Sequence, residues 1–172
     1  MPNTYKLIAS STVGSGGAAS IDFTSIDSTY TDLLIKISAR ITGTAGVKDL
    51  GFQFNGDTAA NYFYAELGGN GTAGFAGTGS GSRHNTIAPP NSSTSNTFNN
   101  VEVYIPNYRS SAQKSTSADA IVEQNSASTD TQLRIQAWKW SGTGAITSIK
   151  IFPPGETIMQ YSTAYLYGIN NA

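Results

Sequence analysis

Leu33-Leu34-Ile35-Lys36-Ile37-Ser38-Ala39-Arg40-Ile41 is the stretch that decides the fold. Leu33, Ile35, Ile37, Ala39 and Ile41 occupy every second position, and Leu34, Lys36, Ser38 and Arg40 fill the places between. Successive side chains of a strand point to opposite faces, so a period of two predicts a strand with one face in a core and the other turned outward. Similar runs lie on both sides of it: Tyr5 to Ala9, Ile21 to Phe23, Phe52 to Phe54, Tyr62 to Leu67, Val101 to Ile105, Leu133 to Trp140, Ile146 to Phe152 and Tyr165 to Ile169. Weaker signals sit near Ile87 and at Ala120 to Val122. No segment holds a helical period over a helix-length window. Gly14-Ser15-Gly16-Gly17, Asn55-Gly56-Asp57, Ser141-Gly142-Thr143-Gly144 and Pro153-Pro154-Gly155 punctuate the runs with turn chemistry. Asn55-Gly56 in particular reads as a hairpin turn. The expected architecture is all-β: an antiparallel β-sandwich, jelly-roll-like, of about nine or ten short strands, forming a single domain over residues 1–172.

Two stretches are read as long connections: Gly68 to Arg83, rich in glycine, and Pro89 to Asn99, almost entirely Pro, Asn, Ser and Thr. Connections of that length in a compact domain are usually functional, which makes both candidates for contact with a partner that orders them. The chain contains 72 Gly, Ser, Thr and Asn residues out of 172, while Asp, Glu, Lys and Arg together make only 12%. Ten basic and eleven acidic side chains leave a net charge of −1. That balance offers no positive field for nucleic-acid phosphates or anionic lipid, and no apolar run reaches the length of a membrane helix. Nucleic acid and membrane are therefore not expected partners. Cysteine is absent, which excludes disulfides, thiolate metal sites and thiol nucleophiles. The first residues carry no signal-type apolar stretch.

Catalytic signatures are weak. The only histidine, His84, has neither an orienting partner nor companion ligands in the sequence and reads as a solvent-exposed side chain. No nucleophile elbow, phosphate loop or EF-hand loop is complete. Glu66, Glu102, Asp119 and Glu123 are conceivable members of a hydrolytic carboxylate pair, but nothing in their spacing brings two together. No metal or cofactor is expected. The aromatic residues stand out more. Trp138 and Trp140 project from one face of a strand together with Arg134 and Gln136, while Leu133, Ile135 and Ala137 on the other face read as core. The tryptophans then lie in a subunit interface, on a glycan-stacking platform, or beneath a covering loop. Tyr62 and Tyr64 share their spacing and their alternatives.

Several segments together resemble a known family. Tyr5-Lys6-Leu7-Ile8-Ala9-Ser10-Ser11-Thr12-Val13, Ile21-Asp22-Phe23-Thr24-Ser25-Ile26, Tyr30-Thr31-Asp32-Leu33, Phe52-Gln53-Phe54-Asn55-Gly56-Asp57 and Tyr161-Ser162-Thr163-Ala164-Tyr165-Leu166-Tyr167-Gly168-Ile169 are similar, in order, to small virion structural proteins of tailed bacteriophages of marine bacteria and cyanobacteria. Members of that family decorate capsids or associate with tail fibres. The resemblance implies a non-enzymatic virion protein assembled in the host cytoplasm, and a homotrimeric cement or knob protein on the head exterior that contacts the major capsid protein or other virion proteins. The alternative it leaves is a module on the tail or fibre that binds a receptor or a host-surface glycan. It brings no catalytic or metal residues.

Overall fold

The computed structural model describes residues 4–44, 46–122 and 131–170. Twelve antiparallel strands build it, and the described residues contain no helix. Eight of them form the framework. Strands β1 (Tyr5–Thr12), β3 (Asp32–Ser38), β8 (Asn100–Ile105) and β12 (Thr163–Ile169) lie side by side in the order β1-β12-β3-β8. Against them stands a second sheet of β2 (Ile21–Phe23), β4 (Lys48–Phe54), β7 (His84–Ala88) and β11 (Ile149–Phe152), ordered β2-β11-β4-β7. This interleaving of early and late strands in two four-stranded sheets is the jelly-roll order. The remaining strands are two hairpin insertions. β5 (Tyr62–Gly69) with β6 (Gly74–Gly81), and β9 (Lys114–Val122) with β10 (Gln132–Trp140), extend the first sheet to β1-β12-β3-β8-β9-β10-β5-β6. The eight-stranded sheet therefore outgrows its four-stranded partner on one side.

The stretch from Leu33 to Ile41 behaves as its alternation demands: Leu33, Ile35, Ile37, Ala39 and Ile41 are all buried in one core cluster shared by both sheets. Of the intervening residues, Lys36 is exposed, whereas Leu34 and Arg40 are buried. Arg40 is enclosed by the segment 91–97. Its guanidinium donates to the carbonyl oxygens of Asn91 (2.9 Å), Ser93 (2.6 Å), Thr94 (2.7 Å) and Thr97 (3.2 Å), and to Thr97 Oγ1 (2.9 Å). Asn99 fastens the end of the same connection, accepting from Ala39 N–H at 2.6 Å and donating to Ile87 O at 2.7 Å. The Pro89 to Asn99 connection is thus ordered by its own chain.

The strand count exceeds the expected nine or ten because two strands hide their pattern. The Gly68 to Arg83 stretch is not a loop: it holds the end of β5, a short turn and all of β6. Gly77, Gly79 and Gly81 alternate with Thr78 and Ser80, so beyond Phe75 strand β6 carries side chains on one face and bare backbone on the other. The bare face accommodates side chains of the neighbouring strand; a Cβ on Gly79 would lie 2.7 Å from the Tyr64 ring, and one on Gly77 would lie 3.3 Å from Glu66 Oε1. In β9 the inward residues are Lys114, Thr116, Ala118, Ala120 and Val122, small or polar because large rings on the facing strands fill the space. The Asn55-Gly56 turn also differs from expectation. Both residues have positive φ (53° and 67°), as a tight primed turn requires, yet β4 and β5 on either side of it belong to different sheets.

Aromatic rings laid over glycines recur: Phe75 over Gly68, Trp140 over Gly142 and Tyr30 over Gly168. Gly168 lies in β12, where any Cβ would enter the Tyr30 ring. Gly168→Ala is expected to destabilise the protein by about 1–3 kcal/mol, the usual cost of forcing atoms into a packed site. Gly144→Ala, which meets open space, should stay within about 0.5 kcal/mol of wild type. Urea unfolding of the two variants checks the contrast.

Candidate functional site

The aromatic residues singled out in the sequence converge, but in the core. Trp138 is 2% exposed and Trp140 4%, and Tyr62 is equally buried. The face assignment of β10 is inverted relative to expectation: the tryptophans point inward, while Leu133, Ile135 and Ala137 point outward. The sandwich partner explains this. Trp138 and Trp140 lie where the four-stranded sheet covers β10, with Phe52 of β4 5.3 Å from Trp138 and Phe54 5.7 Å from Trp140 between ring centroids. Arg134 lies farther along the same face, toward the overhang. One face of the strand therefore mixes core tryptophans with overhang polar groups, which disguised it. Trp140 Nε1 donates to Asp57 Oδ2 at 2.7 Å; the Tyr62 hydroxyl donates to Asp57 O at 2.9 Å and accepts from Phe54 N at 3.0 Å. Burial raises the Tyr62 phenol to about 12.

His84 belongs to this cluster and is not exposed, correcting the sequence expectation. It is 1% accessible, stacked on Trp138 with centroids 4.7 Å apart and planes 9° apart, and it meets the Tyr62 ring edge at 5.0 Å. Neither imidazole nitrogen has a hydrogen-bond partner among the described residues, and burial pulls its pKa down to about 3. A ring so held is neutral and packs as an aromatic.

Of the four aromatic candidates, only Tyr64 is partly accessible. It lines a recess of about 140 Å³ beside the overhang, together with Asp49, Glu66, Asn85, Arg134 and Gln136. Glu66 Oε2 accepts from Arg134 Nη1 (3.3 Å) and Gln136 Nε2 (3.0 Å), and Gln136 Nε2 also reaches Asn85 O (2.9 Å). Glu66 is thereby committed to an ion pair and an amide. Glu102 and Asp119 face one another across β8 and β9, on the open outer surface, where Lys36 salt-bridges Glu102. Glu123 lies outside the described residues. Among those residues no group of three or more His, Asp or Glu could hold a metal ion.

An unusual surface is the outer face of the eight-stranded sheet at its β9-β10-β5-β6 end. Leu67 and Ile135 face one another in register, each 63% exposed. Leu133 pairs with Ile121 on the β9 side, and both are exposed. Phe63 is exposed with Lys139 Nζ 4.3 Å above its ring, and Ala65, Ala76 and Ala137 fill the gaps with exposed methyl groups. Scattered exposed apolar residues are ordinary; a contiguous apolar patch on a sheet face signals an interaction site. The sequence contained this patch, but its alternation with Trp138 and Trp140 assigned it to the core. The chain matches no model of a known protein family, and no curated protein matches it in sequence.

Proposed function

We propose that the chain is a non-enzymatic structural protein of a phage virion, a homo-oligomeric decoration protein that attaches through the outer face of its large sheet. The observation that carries this reading is the exposed patch of Phe63, Leu67, Ile121, Leu133 and Ile135 across neighbouring strands. It has the apolar character of an interface core, with Asp119 beside Ile135 and Lys139 beside Phe63 at its margins. The low overall charge fits crowding of identical copies, because it limits repulsion between them. The resemblance of the opening, central and closing segments to virion structural proteins supplies the setting, and the trimer is the assembly that resemblance implies. Burial of the patch against a neighbour or the shell would stabilise the particle by mass action.

The glycan-binding alternative has less support, since Trp138, Trp140 and Tyr62 are core residues and, of the four, only Tyr64 is partly accessible. Replacing Leu67 and Ile135 together by Glu tests the preferred reading. Both sites are exposed, so the melting temperature should change by only a few degrees. Attachment to particles lacking the protein should weaken at least about a hundredfold, equivalent to two factors of about 1.4 kcal/mol. A particle reconstruction should place wild-type density at repeated capsid sites. Density confined to the tail, or undiminished attachment of the double variant, would sink the capsid reading.

A further inference from the structure

Four strands end the two sheets, and three of them are protected against pairing with another chain. β2 is only three residues long. β1 carries Lys6 and a register break between Leu7 and Ala9. On β7 the carbonyls of Asn85 and Ile87 are capped by the side-chain amides of Gln136 (2.9 Å) and Asn99 (2.7 Å). Short length, charge, bulges and covering groups are the usual ways to close a sheet edge. β6 has none of them. It runs for eight residues, Gly-Phe-Ala-Gly-Thr-Gly-Ser-Gly, pairs with β5 without a register break, and contains neither charge nor proline.

The direction of its backbone groups follows from the turn. Asn70 N–H donates to Ala73 O at 3.1 Å, closing the hairpin between β5 and β6. N–H and C=O groups alternate in direction along an antiparallel strand. Phe75, Gly77, Gly79 and Gly81 therefore face β5, while Ala76, Thr78 and Ser80 present theirs to the open side. The bond from Ser141 N–H to Asn61 O on the opposite flank of β5 requires the same alternation.

We propose that β6 pairs antiparallel with β6 of a second copy about a two-fold axis, with Thr78 opposite Thr78, joining two eight-stranded sheets into one. The strand is suited to meet itself. In this register the free groups of Ala76, Thr78 and Ser80 meet those of Ser80, Thr78 and Ala76 of the second copy, each facing pair exchanging two backbone bonds. An isologous contact sets a strand against its own charges, and β6 has none. Gly77 and Gly79 add no side chain of their own to the inner face, and the outer side chains are small. A two-fold axis normal to the sheet keeps both outer faces on one side, so the Leu67–Ile135 patches of the two copies face the same way, with Ala76, Thr78 and Ser80 of the paired strands between them. The contact is separate from any three-fold assembly.

Thr78→Pro is the direct test. It removes an outward N–H and no bond to β5, the position at which an edge strand tolerates proline. Sedimentation at tens of micromolar should give wild type an even number of copies, and Thr78→Pro half that mass with a melting temperature within a few degrees; the pairing constant should weaken at least about a hundredfold. The cysteine-free chain permits a second reading. Facing residues of such a pair lie about 5.5 Å apart between Cα atoms, within disulfide reach. Thr78→Cys should therefore oxidise to a linked dimer, and Gly144→Cys, in an exposed turn, should not. A wild-type mass of one copy, a mass that Thr78→Pro leaves unchanged, or equal linkage of the two cysteine variants would overturn the pairing.

Discussion

Arg40→Met is expected to lower stability by about 3–5 kcal/mol, the loss of several hydrogen bonds from a charged donor at about 1.5–3 kcal/mol each, partly recovered by water. Arg40 is 5% exposed and donates to four carbonyl oxygens and one hydroxyl between Asn91 and Thr97. Met preserves much of the stem volume but supplies no donor. The carbonyl oxygens at the heart of the loop lose their partners, and each buried acceptor left bare costs about 1–3 kcal/mol unless the loop opens to water. Opening is the cheaper response. For a chain of this length the melting temperature should fall by about 10 °C. Arg40→Lys should recover little, because one ammonium cannot fork across five acceptors. Amide exchange should report the loss first at Ser93 and Thr97, whose N–H groups bond within the loop to Pro90 O and Thr94 O. A melting temperature within about 2 °C of wild type would show that the loop holds without its arginine.

The Arg40 network is not legible in the amino-acid sequence. Leu33 to Ile41 disclosed a strand and its inner face, because five aliphatic residues at period two have few other uses. The outward set was legible only as a direction. Whether Arg40 meets water or a loop depends on residues more than fifty positions away, and the polar run from Asn91 to Thr97 carries no mark of the guanidinium it surrounds. Many short runs with turns between them point to a jelly-roll-like sandwich but not to its strand order, and β6 is concealed because glycine reads as turn. Its function there is to leave one face bare beneath Tyr64 and Glu66. β10 misled for another reason. Leu133, Ile135 and Ala137 are the aliphatic set and should be core in an isolated domain, yet they face outward, while Trp138 and Trp140 fill the sandwich. An apolar set on the wrong face is what an interface leaves in a sequence, and only the position of the second sheet reveals it.

Acidification should destabilise the protein through His84. Its ring lies in β7 between Trp138, Tyr62 and Phe54, with neither nitrogen hydrogen-bonded to a described residue, and burial alone moves its pKa from 6.5 to about 3. Tyr62, raised to about 12 by burial, stays neutral throughout and offers the imidazolium no counter-charge. Above pH 6.5 both folded and unfolded chains hold the ring neutral, and its contribution is fully present. Below 6.5 the unfolded chain binds a proton that the folded chain refuses, so stability falls as pH falls, by up to about 1.4 kcal/mol per pH unit, until the ring in the folded protein titrates near 3. Between pH 7 and pH 5 the loss should reach about 2 kcal/mol, in a range where ordinary carboxylates remain largely ionised. Urea unfolding at the two pH values measures it, and His84→Phe, which keeps a ring against Trp138, should flatten the difference. His84→Leu provides the same comparison if the larger ring packs poorly. Because the chain has one histidine, its imidazole proton resonance is unambiguous and should not move in the folded protein down to about pH 4. A resonance that titrates near 6.5, or equal pH dependence in wild type and both variants, would mean that the ring reaches water in the folded state.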